Sequence, residues 1–137
     1  EEPCPISEML VFCCLNPSTA DEHKDDPTVA RGVKWAKAWG FKGFIMLNAF
    51  AYRATNPRDM MKAADPVGEL NDDAIRSVAS QDKFVVCAWG EHVSHMERGQ
   101  AVRKVLAGVP LKCFKINASG EPRHPLYVPT KSELIDF

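Results

Sequence analysis

The sequence has no long apolar run and no large excess of charge of either sign. No stretch approaches the roughly 20 apolar residues that a membrane-spanning helix needs. The 17 Lys and Arg residues nearly balance the 18 Asp and Glu residues, so the formal net charge is −1. A chain with this balance has no global positive field that would attract nucleic acid. We therefore expect no membrane partner, and we expect any contact with nucleic acid to be local.

Several motifs with well-understood chemistry are also missing. The absence of G-x-x-x-x-G-K-[ST] and of G-x-G-x-x-G argues against a phosphate loop and a dinucleotide fingerprint. Ser18 lacks the G-x-S-x-G elbow that exposes a hydrolase nucleophile. His92 and His95 are three residues apart and suggest a metal with Cys87, but no fourth ligand is placed beside them. The sequence therefore predicts neither a metal nor a cofactor.

The five cysteines are an odd number and show no paired spacing. Cys13, Cys14 and Cys87 lie in apolar runs, as expected for reduced and buried thiols. A secretion signal has a basic segment followed by an apolar one. Residues 1–5 do not show this pattern. We therefore expect a cytoplasmic protein.

Length and patterning predict a single α/β domain over residues 1–137, with 45% apolar residues to build one core. Four continuous apolar runs are typical of strands that are covered on both faces; they span 9–15, 44–50, 84–89 and 111–116. Apolar spacing predicts helices between them, at 28–39, around 74–79 and at about 95–107. Residues 51–68 and 117–137 are predicted to be mostly loop. The alternation implies right-handed crossovers and a three-layer sandwich around a mostly parallel four-stranded sheet.

Polar segments follow the ends of these predicted strands. In parallel sheets, ligands bind at the carboxyl ends of the strands. At these positions the sequence has Asn16-Pro17-Ser18, Asn48-Ala49-Phe50, Trp89-Gly90 and Arg123-His124-Pro125-Leu126-Tyr127. The segment before the first helix ends in Asp26-Pro27, a pair that predicts a helix start.

Five blocks of the chain resemble an uncharacterised bacterial and phage family, domain of unknown function 1643. They are LNPSTAD at 15–21, DPT at 26–28, NAFAYRAT at 48–55, AWG at 88–90 and PRHPLY at 122–127. The likeness spans nearly the whole chain, and it names a family without naming a reaction.

The order of the blocks also resembles, more distantly, the uracil-DNA glycosylase superfamily and its mismatch-specific branch. Asn16-Pro17 is similar to the first-strand loop that positions water there, and Met46-Leu47-Asn48 to the strand whose Asn reads the base edge. Trp89-Gly90 is similar to the end of the third strand, and His124-Pro125 to the loop whose histidine meets the base carbonyl. The first motif is of the Asn-Pro-Ser type in place of one with an aspartate, and Pro125-Leu126-Tyr127 replaces a Pro-Ser form. The resemblance implies the fold of that superfamily and a DNA glycosylase-like role in DNA repair or base modification.

Cleavage of an N-glycosidic bond builds positive charge on the sugar and negative charge on the departing base. We expect His124 to donate to a base carbonyl, Asn16 to orient water, and Asp26 or Asp21 to take the proton of that water. Further side chains are expected to contact the base or the rest of the substrate; they are Ser18, Asn48, Phe50, Tyr52, Arg53, Arg123 and Tyr127.

Each of the main candidates also has a purely structural interpretation. Asn16-Pro17 can be a turn that ends a strand, and Asp26 can be only a helix cap. Asn48 can bond only to neighbouring backbone, and Trp89 can be a core residue. Arg53 and Arg123 are interpreted as phosphate ligands only if they act as a pair, because lone loop arginines are usually solvated.

Two other function classes stay open. A non-catalytic binder of a free nucleotide or signalling nucleotide agrees with the near-neutral charge, since such a ligand needs only two or three cationic contacts. A protein-interaction module on a glycosylase-like scaffold is the second, because a fold does not fix a function.

Overall fold

The computed structural model describes residues 4–17 and 26–137. Ser18 and Asp21, both named above, therefore lie outside the described residues. The strands are β1 Met9–Cys14, β2 Gly43–Asn48, β3 Val85–Cys87, β4 Leu111–Cys113 and β5 Ile135–Asp136. The α-helices are α1 Pro27–Ala38, α2 Pro57–Met61, α3 Asn71–Ala79 and α4 Arg98–Val105. Short 3-10 helices occupy Ile6–Glu8, Glu91–Glu97 and Pro125–Tyr127.

The strands form one mixed sheet in the order β2-β1-β3-β4-β5. β1 pairs in parallel with β2, from Met9 opposite Gly43 to Cys14 opposite Asn48. β3 is parallel to β1 on its other edge and to β4, whereas β5 is antiparallel to β4. β1 is thus covered on both edges, and its continuous apolar sequence reflects burial on both faces as well.

Alternate residues of β1 face two separate apolar cores. Val11 and Cys13 pack with buried residues of α3 and α4, such as Ile75 and Val102. Leu10, Phe12 and Cys14 pack on the opposite face with Trp35 and Ala36 of α1. Helices therefore cover both faces of the sheet, as expected for crossovers between parallel strands.

The predicted α/β class and the mostly parallel sheet are confirmed, but the strand count is wrong by one. The fifth strand lies in the tail that we expected to be loop, and its two residues are too few for any periodic signal. The predicted loop 51–68 contains the short helix α2. The helix predicted from residue 95 begins at Arg98, because Met96 and Glu97 adopt left-handed backbone conformations that α-helices exclude.

Among the described residues, no helix combines the length and the apolar character that crossing a bilayer requires.

Helix α1 approaches β2 closely at Gly32. A Cβ atom added at this glycine would overlap the ring of Phe44. The Phe44 ring packs edge-to-face against the fully buried Phe12 ring, and the two ring centroids are 5.0 Å apart. The glycine therefore sets the distance between α1 and the sheet.

We expect Gly32→Ala to lower the free energy of unfolding by about 1–3 kcal/mol, the usual cost of overpacking a core. Alanine would ordinarily stabilise a helix interior relative to glycine by about 1 kcal/mol, so the sign of the change tests the close approach. Urea unfolding measures it, with Lys37→Ala on the exposed side of α1 as the control. Unchanged or increased stability would contradict this packing, whereas a partial rescue by Phe44→Leu would support it.

Candidate functional site

The sheet order places a crevice at one end of the two central strands. From β1 the chain crosses to β2 on one side and returns, through α2 and α3, to β3 on the other side. At such a reversal of strand order, the loops after the two strands separate and leave room for a ligand. A cavity of about 810 Å³, here called the central cavity, occupies this position.

Both apolar and polar groups line the central cavity, in segments far apart in the sequence. The apolar part of the wall comes from Cys14, Leu15, Met46, Ala54, Pro57 and Leu126. Polar side chains come from the loop after β1, the start of α1 and the segments after β3 and β4; they include Asn16, Asp26, Thr28, Glu91, His92, Asn117, Arg123, His124 and Tyr127. An apolar pocket with a few convergent polar groups is the usual form of a small-molecule site.

His124 lies in the cavity wall with a defined proton arrangement. Its Nδ1 accepts the backbone N–H of Leu126 at 3.2 Å, so the neutral ring carries its proton on Nε2. Burial lowers the pKa of His124, and the negative charge of Asp26 partly opposes this effect. His124 is therefore a neutral hydrogen-bond donor at neutral pH.

The loop that carries His124 is attached to helix α1. The Arg31 guanidinium donates from Nη1 to the carbonyl oxygen of Pro125 at 2.6 Å and from Nη2 to that of Val128 at 2.8 Å. The indole of Trp35, one turn further along, donates to the carbonyl of Thr130 at 2.9 Å. These bonds fix the segment from Pro125 to Thr130, which directly follows His124, so α1 helps to determine where that ring lies.

The Trp89-Gly90 pair supports the same loop from the other side. Gly90 has φ +73° and ψ −158°, a conformation that only glycine adopts readily. Its N–H donates to the carbonyl of Pro122 at 2.9 Å, and its Cα faces the Cβ of His124. Trp89 is fully buried and donates to Glu121. Trp89 is thus a core residue that also borders the central cavity, and glycine is needed at position 90 for its backbone conformation.

Asp26 is both a helix cap and a cavity residue. Its Oδ1 accepts the backbone N–H groups of Thr28 at 2.8 Å and Val29 at 3.3 Å, which confirms the predicted helix start. The carboxylate also lies close enough to His124 to raise that ring's pKa. The catalytic function expected for Asp26 stays a prediction, and the structure brings Asp26 into the same cavity as Asn16 and His124.

Asn16 joins the loop after β1 to the loop after β2. Its Nδ2 donates to the carbonyl oxygens of Tyr52 at 3.2 Å and Ala54 at 2.9 Å, and Pro17 accepts the N–H of Ala54. The amide nitrogen of Asn16 is therefore used in fixing the cavity wall.

Phe50 and Asn48, both predicted substrate contacts, lie away from the central cavity. Phe50 has no exposed surface and packs in the core on the α3 side of the sheet, against the ring of His95. Its expected function as a stacking platform is corrected, because a base cannot reach that ring in this structure. Asn48 does not line the cavity either, and its buried Oδ1 meets no hydrogen-bond partner among the residues that the structure describes.

The remaining predicted contacts are divided between two neighbouring depressions. Arg123 and Tyr127 line the central cavity, where Tyr127 is 77% exposed at the rim and its ring lies 5.6 Å from that of His124. Tyr52 and Arg53 instead line an adjoining surface depression, here called the side groove, formed within residues 52–62. The structure therefore does not place Arg53 and Arg123 in one pocket, as their interpretation as a pair required.

The sequence analysis missed Glu91 and Asn117 as cavity residues. Glu91 accepts hydrogen bonds from the Ser119 hydroxyl at 2.6 Å and from the Asn117 amide at 3.2 Å, and these bonds lower the pKa of Glu91. Asn117 also accepts from Arg123 Nε at 2.9 Å. Glu91 directly follows the Trp89-Gly90 block, and this adjacency to a strand end was the one available signal.

No group of three or more His, Cys, Asp or Glu side chains within residues 4–17 and 26–137 is arranged to hold a metal ion.

The fold and the cavity define a mixed α/β protein with a cavity at the carboxyl ends of its central strands. The chain belongs to the family described as "Protein of unknown function (DUF1643)", whose model matches residues 5–126. No curated protein and no solved structure matches the chain.

We expect Arg31→Ala to lower the free energy of unfolding by about 1–3 kcal/mol, because hydrogen bonds from a charged group to partly buried carbonyls are lost. The position of the His124 ring should change with it, which an NMR shift of the ring protons reports. Arg31→Lys should recover little of the lost stability, because one ammonium group does not reproduce the two hydrogen bonds that the planar guanidinium donates in different directions. Lys34→Ala, exposed on the same helix, is the control. An unmoved His124 resonance in Arg31→Ala would contradict the anchoring.

The lowered pKa of His124 predicts a particular pH dependence of stability. The unfolded ring binds a proton near its ordinary pKa of 6.5, whereas the folded ring does so only at lower pH. The free energy of unfolding should therefore fall as the pH decreases below about 6.5. His124→Asn keeps an acceptor for the Leu126 N–H and should show a shallower fall between about pH 7 and pH 5 in urea unfolding. Parallel curves for the two proteins would contradict the burial of a neutral ring.

Proposed function

We propose that this protein binds a nucleobase in the central cavity and hydrolyses the N-glycosidic bond that joins the base to its sugar. The observation that carries the proposal is the state of His124. A neutral imidazole with its proton on Nε2, held by its own loop, is a donor suited to a base carbonyl oxygen.

The walls of the cavity support recognition of a flat heteroaromatic ring. Apolar contacts from Leu15, Met46 and Pro57 offer a surface for the faces of such a ring. Tyr127 at the rim offers an aromatic face, and stacking of a base on a ring of this kind typically contributes about 1–3 kcal/mol. The amide oxygen of Asn16 supplies an acceptor for an N–H of the base or for water.

The polar groups stabilise the opposite charges that develop on the base and on the sugar during the proposed reaction. As the bond breaks, negative charge on the base is stabilised by the donor at His124 Nε2, and positive charge on the sugar by the Asp26 carboxylate. Water adds to the anomeric carbon, the electron pair of the broken bond goes to the base nitrogen, and the water proton goes to Asp26. The base then takes up a proton from solvent.

The resemblance of four sequence blocks to the uracil-DNA glycosylase superfamily supports the same reaction class. The His-Pro loop, the Trp-Gly strand end and the Asn-Pro loop all border the central cavity. The block at the end of β2 departs from this pattern, because Asn48 does not line the central cavity. A glycosylase-like fold and a function in DNA repair or base modification belong to this proposal.

A free nucleotide bound without hydrolysis is the second candidate, and the electrostatics of the cavity favour it over tight binding of duplex DNA. Asp26 and Glu91 line the cavity against Arg123, and the whole chain has a net charge of −1. A surface with this balance of charges gains little binding affinity from the release of counterions from a DNA duplex. One carboxylate oxygen of Asp26 also accepts the backbone N–H of Thr28 at the start of α1.

The deciding experiment measures base release from labelled DNA that contains uracil, hypoxanthine or a modified pyrimidine, and from the corresponding nucleotides. We expect release by the wild type and a loss of about 10²–10³-fold in rate for His124→Asn, as for removal of one transition-state donor. Asn16→Ala should also lose activity, because it removes the bonds that join the two loops.

The variant Asp26→Asn tests the catalytic role of the Asp26 carboxylate in the same assay. Asparagine caps helices as well as aspartate does, so stability should change by only a few tenths of a kcal/mol while hydrolysis is lost. Lys37→Ala on the exposed side of α1 should keep full activity. If Asp26→Asn hydrolyses normally, Asp26 is only a cap. If the wild type releases no base but its melting temperature rises with a nucleotide, the binder replaces the enzyme.

A further inference from the structure

Arg123 lies beside His124 in the wall of the central cavity, on a backbone that two other segments hold in place. Pro122, the residue before Arg123, forms an antiparallel bridge with Ile116 in the segment after β4. The carbonyl of Pro122 also accepts the N–H of Gly90 after β3 at 2.9 Å. The side chain of Arg123 therefore starts from a defined position in the cavity wall.

A chain of hydrogen bonds sets the orientation of the Arg123 guanidinium. The Glu91 carboxylate accepts the Asn117 amide Nδ2 at 3.2 Å and the Ser119 hydroxyl at 2.6 Å. A carboxylate only accepts, so Glu91 holds the Asn117 amide by its nitrogen. The Asn117 oxygen is thereby directed to Arg123, and it accepts the N–H of Arg123 Nε at 2.9 Å. Because the guanidinium is planar, this bond restricts the plane in which its other donors lie.

The guanidinium of Arg123 has donors left for a ligand. It donates to Asn117 through Nε alone, and its two Nη groups meet no hydrogen-bond acceptor within residues 4–17 and 26–137. The negative charge of Glu91 interacts with Arg123 across the same network. Since the guanidinium already has this counter-charge, it suits an uncharged ligand with acceptor atoms better than a second anion.

We infer that Arg123 recognises two acceptor atoms that face the same way on the base in the central cavity. This inference rests on the proposed function and narrows its substrate class. The forked donors of a guanidinium fit such a pair, as in the bidentate contact of arginine with O6 and N7 of guanine. The 6-oxopurines have this pair, and cytosine has a similar pair in O2 and N3.

Adenine and uracil lack this pair. Adenine has an amino donor beside N7, and uracil has an N–H between its two carbonyl groups. Sharing of the base carbonyl by Arg123 and His124 is chemically reasonable, because a carbonyl oxygen has two lone pairs. Arg123 thus becomes a residue that determines base specificity, and Asn117 becomes a positioning residue that acts through Arg123.

Calorimetric titration of the whole chain tests the inference with two matched pairs of methylated bases. The purines are 9-methylhypoxanthine and 9-methyladenine, and the pyrimidines are 1-methylcytosine and 1-methyluracil. The methyl group replaces the sugar, so these probes lack the bond that the proposed reaction breaks. We expect 9-methylhypoxanthine or 1-methylcytosine to bind about tenfold or more tightly than its matched partner.

Three variants assign this preference to the guanidinium. Arg123→Lys keeps the charge but loses the fork, so it should remove the preference. Asn117→Ala should reduce the preference by about threefold or more and leave the affinity for the weaker base of each pair unchanged. A general loss of structure would instead lower both affinities. Lys115→Gln, at an exposed side chain of the same segment, should change neither affinity.

The outcomes separate this inference from the proposed function. Equal affinity within both pairs, with binding lost in His124→Asn, would overturn the assignment of Arg123 and leave the cavity intact. A preference that persists in Arg123→Lys, or one for adenine or uracil, would also overturn it. No binding of any probe would overturn both proposals. A gain for hypoxanthine that 7-deaza-9-methylhypoxanthine loses would identify a 6-oxopurine, and a gain for cytosine would identify a pyrimidine.

Discussion

The parallel pairing of β1 on both of its edges is the constraint on which the rest of the structure depends. β1 lies between β2 and β3, and its residues are buried on both faces. Parallel neighbours require crossovers, so the chain has to leave the end of β1 in one direction and come back on the other side. The loops after β1 and β3 therefore separate at the same edge, and the central cavity lies between them. The site is a consequence of strand order rather than of any single motif.

Helix α1 positions two of the polar groups that line this crevice. Its first turn holds the Asp26 carboxylate, and its middle holds the loop of His124 through Arg31. The closeness of α1 to the sheet depends in turn on Gly32, which meets the Phe44 ring where any side chain would collide. Packing in the core and the position of a polar ring at the surface are thus linked through one helix. A change that moves α1 should move both groups of the proposed reaction together.

The electrostatics of the central cavity depend on the protonation of His124 and on the charged side chains in the cavity wall. Burial keeps His124 neutral, so it can donate a hydrogen bond without adding positive charge to the cavity. The carboxylates of Asp26 and Glu91 line the same cavity as the guanidinium of Arg123. The proposed recognition of an uncharged base through a neutral donor therefore agrees with a chain whose net charge is −1.

The sequence by itself determined the elements whose signals are local. Continuous apolar runs located the four parallel strands, Asp26-Pro27 located the start of α1, and strand-end polarity located His124 and Asn16 at one edge. Only the tertiary structure decided where side chains beyond the strand ends point. It buried Phe50, separated Arg53 from Arg123, brought Glu91 into the cavity wall, anchored the His124 loop through Arg31, and added β5. The physical reason is that a strand or helix is set by neighbours along the chain, whereas the direction of a loop side chain is set by packing partners that are tens of residues away.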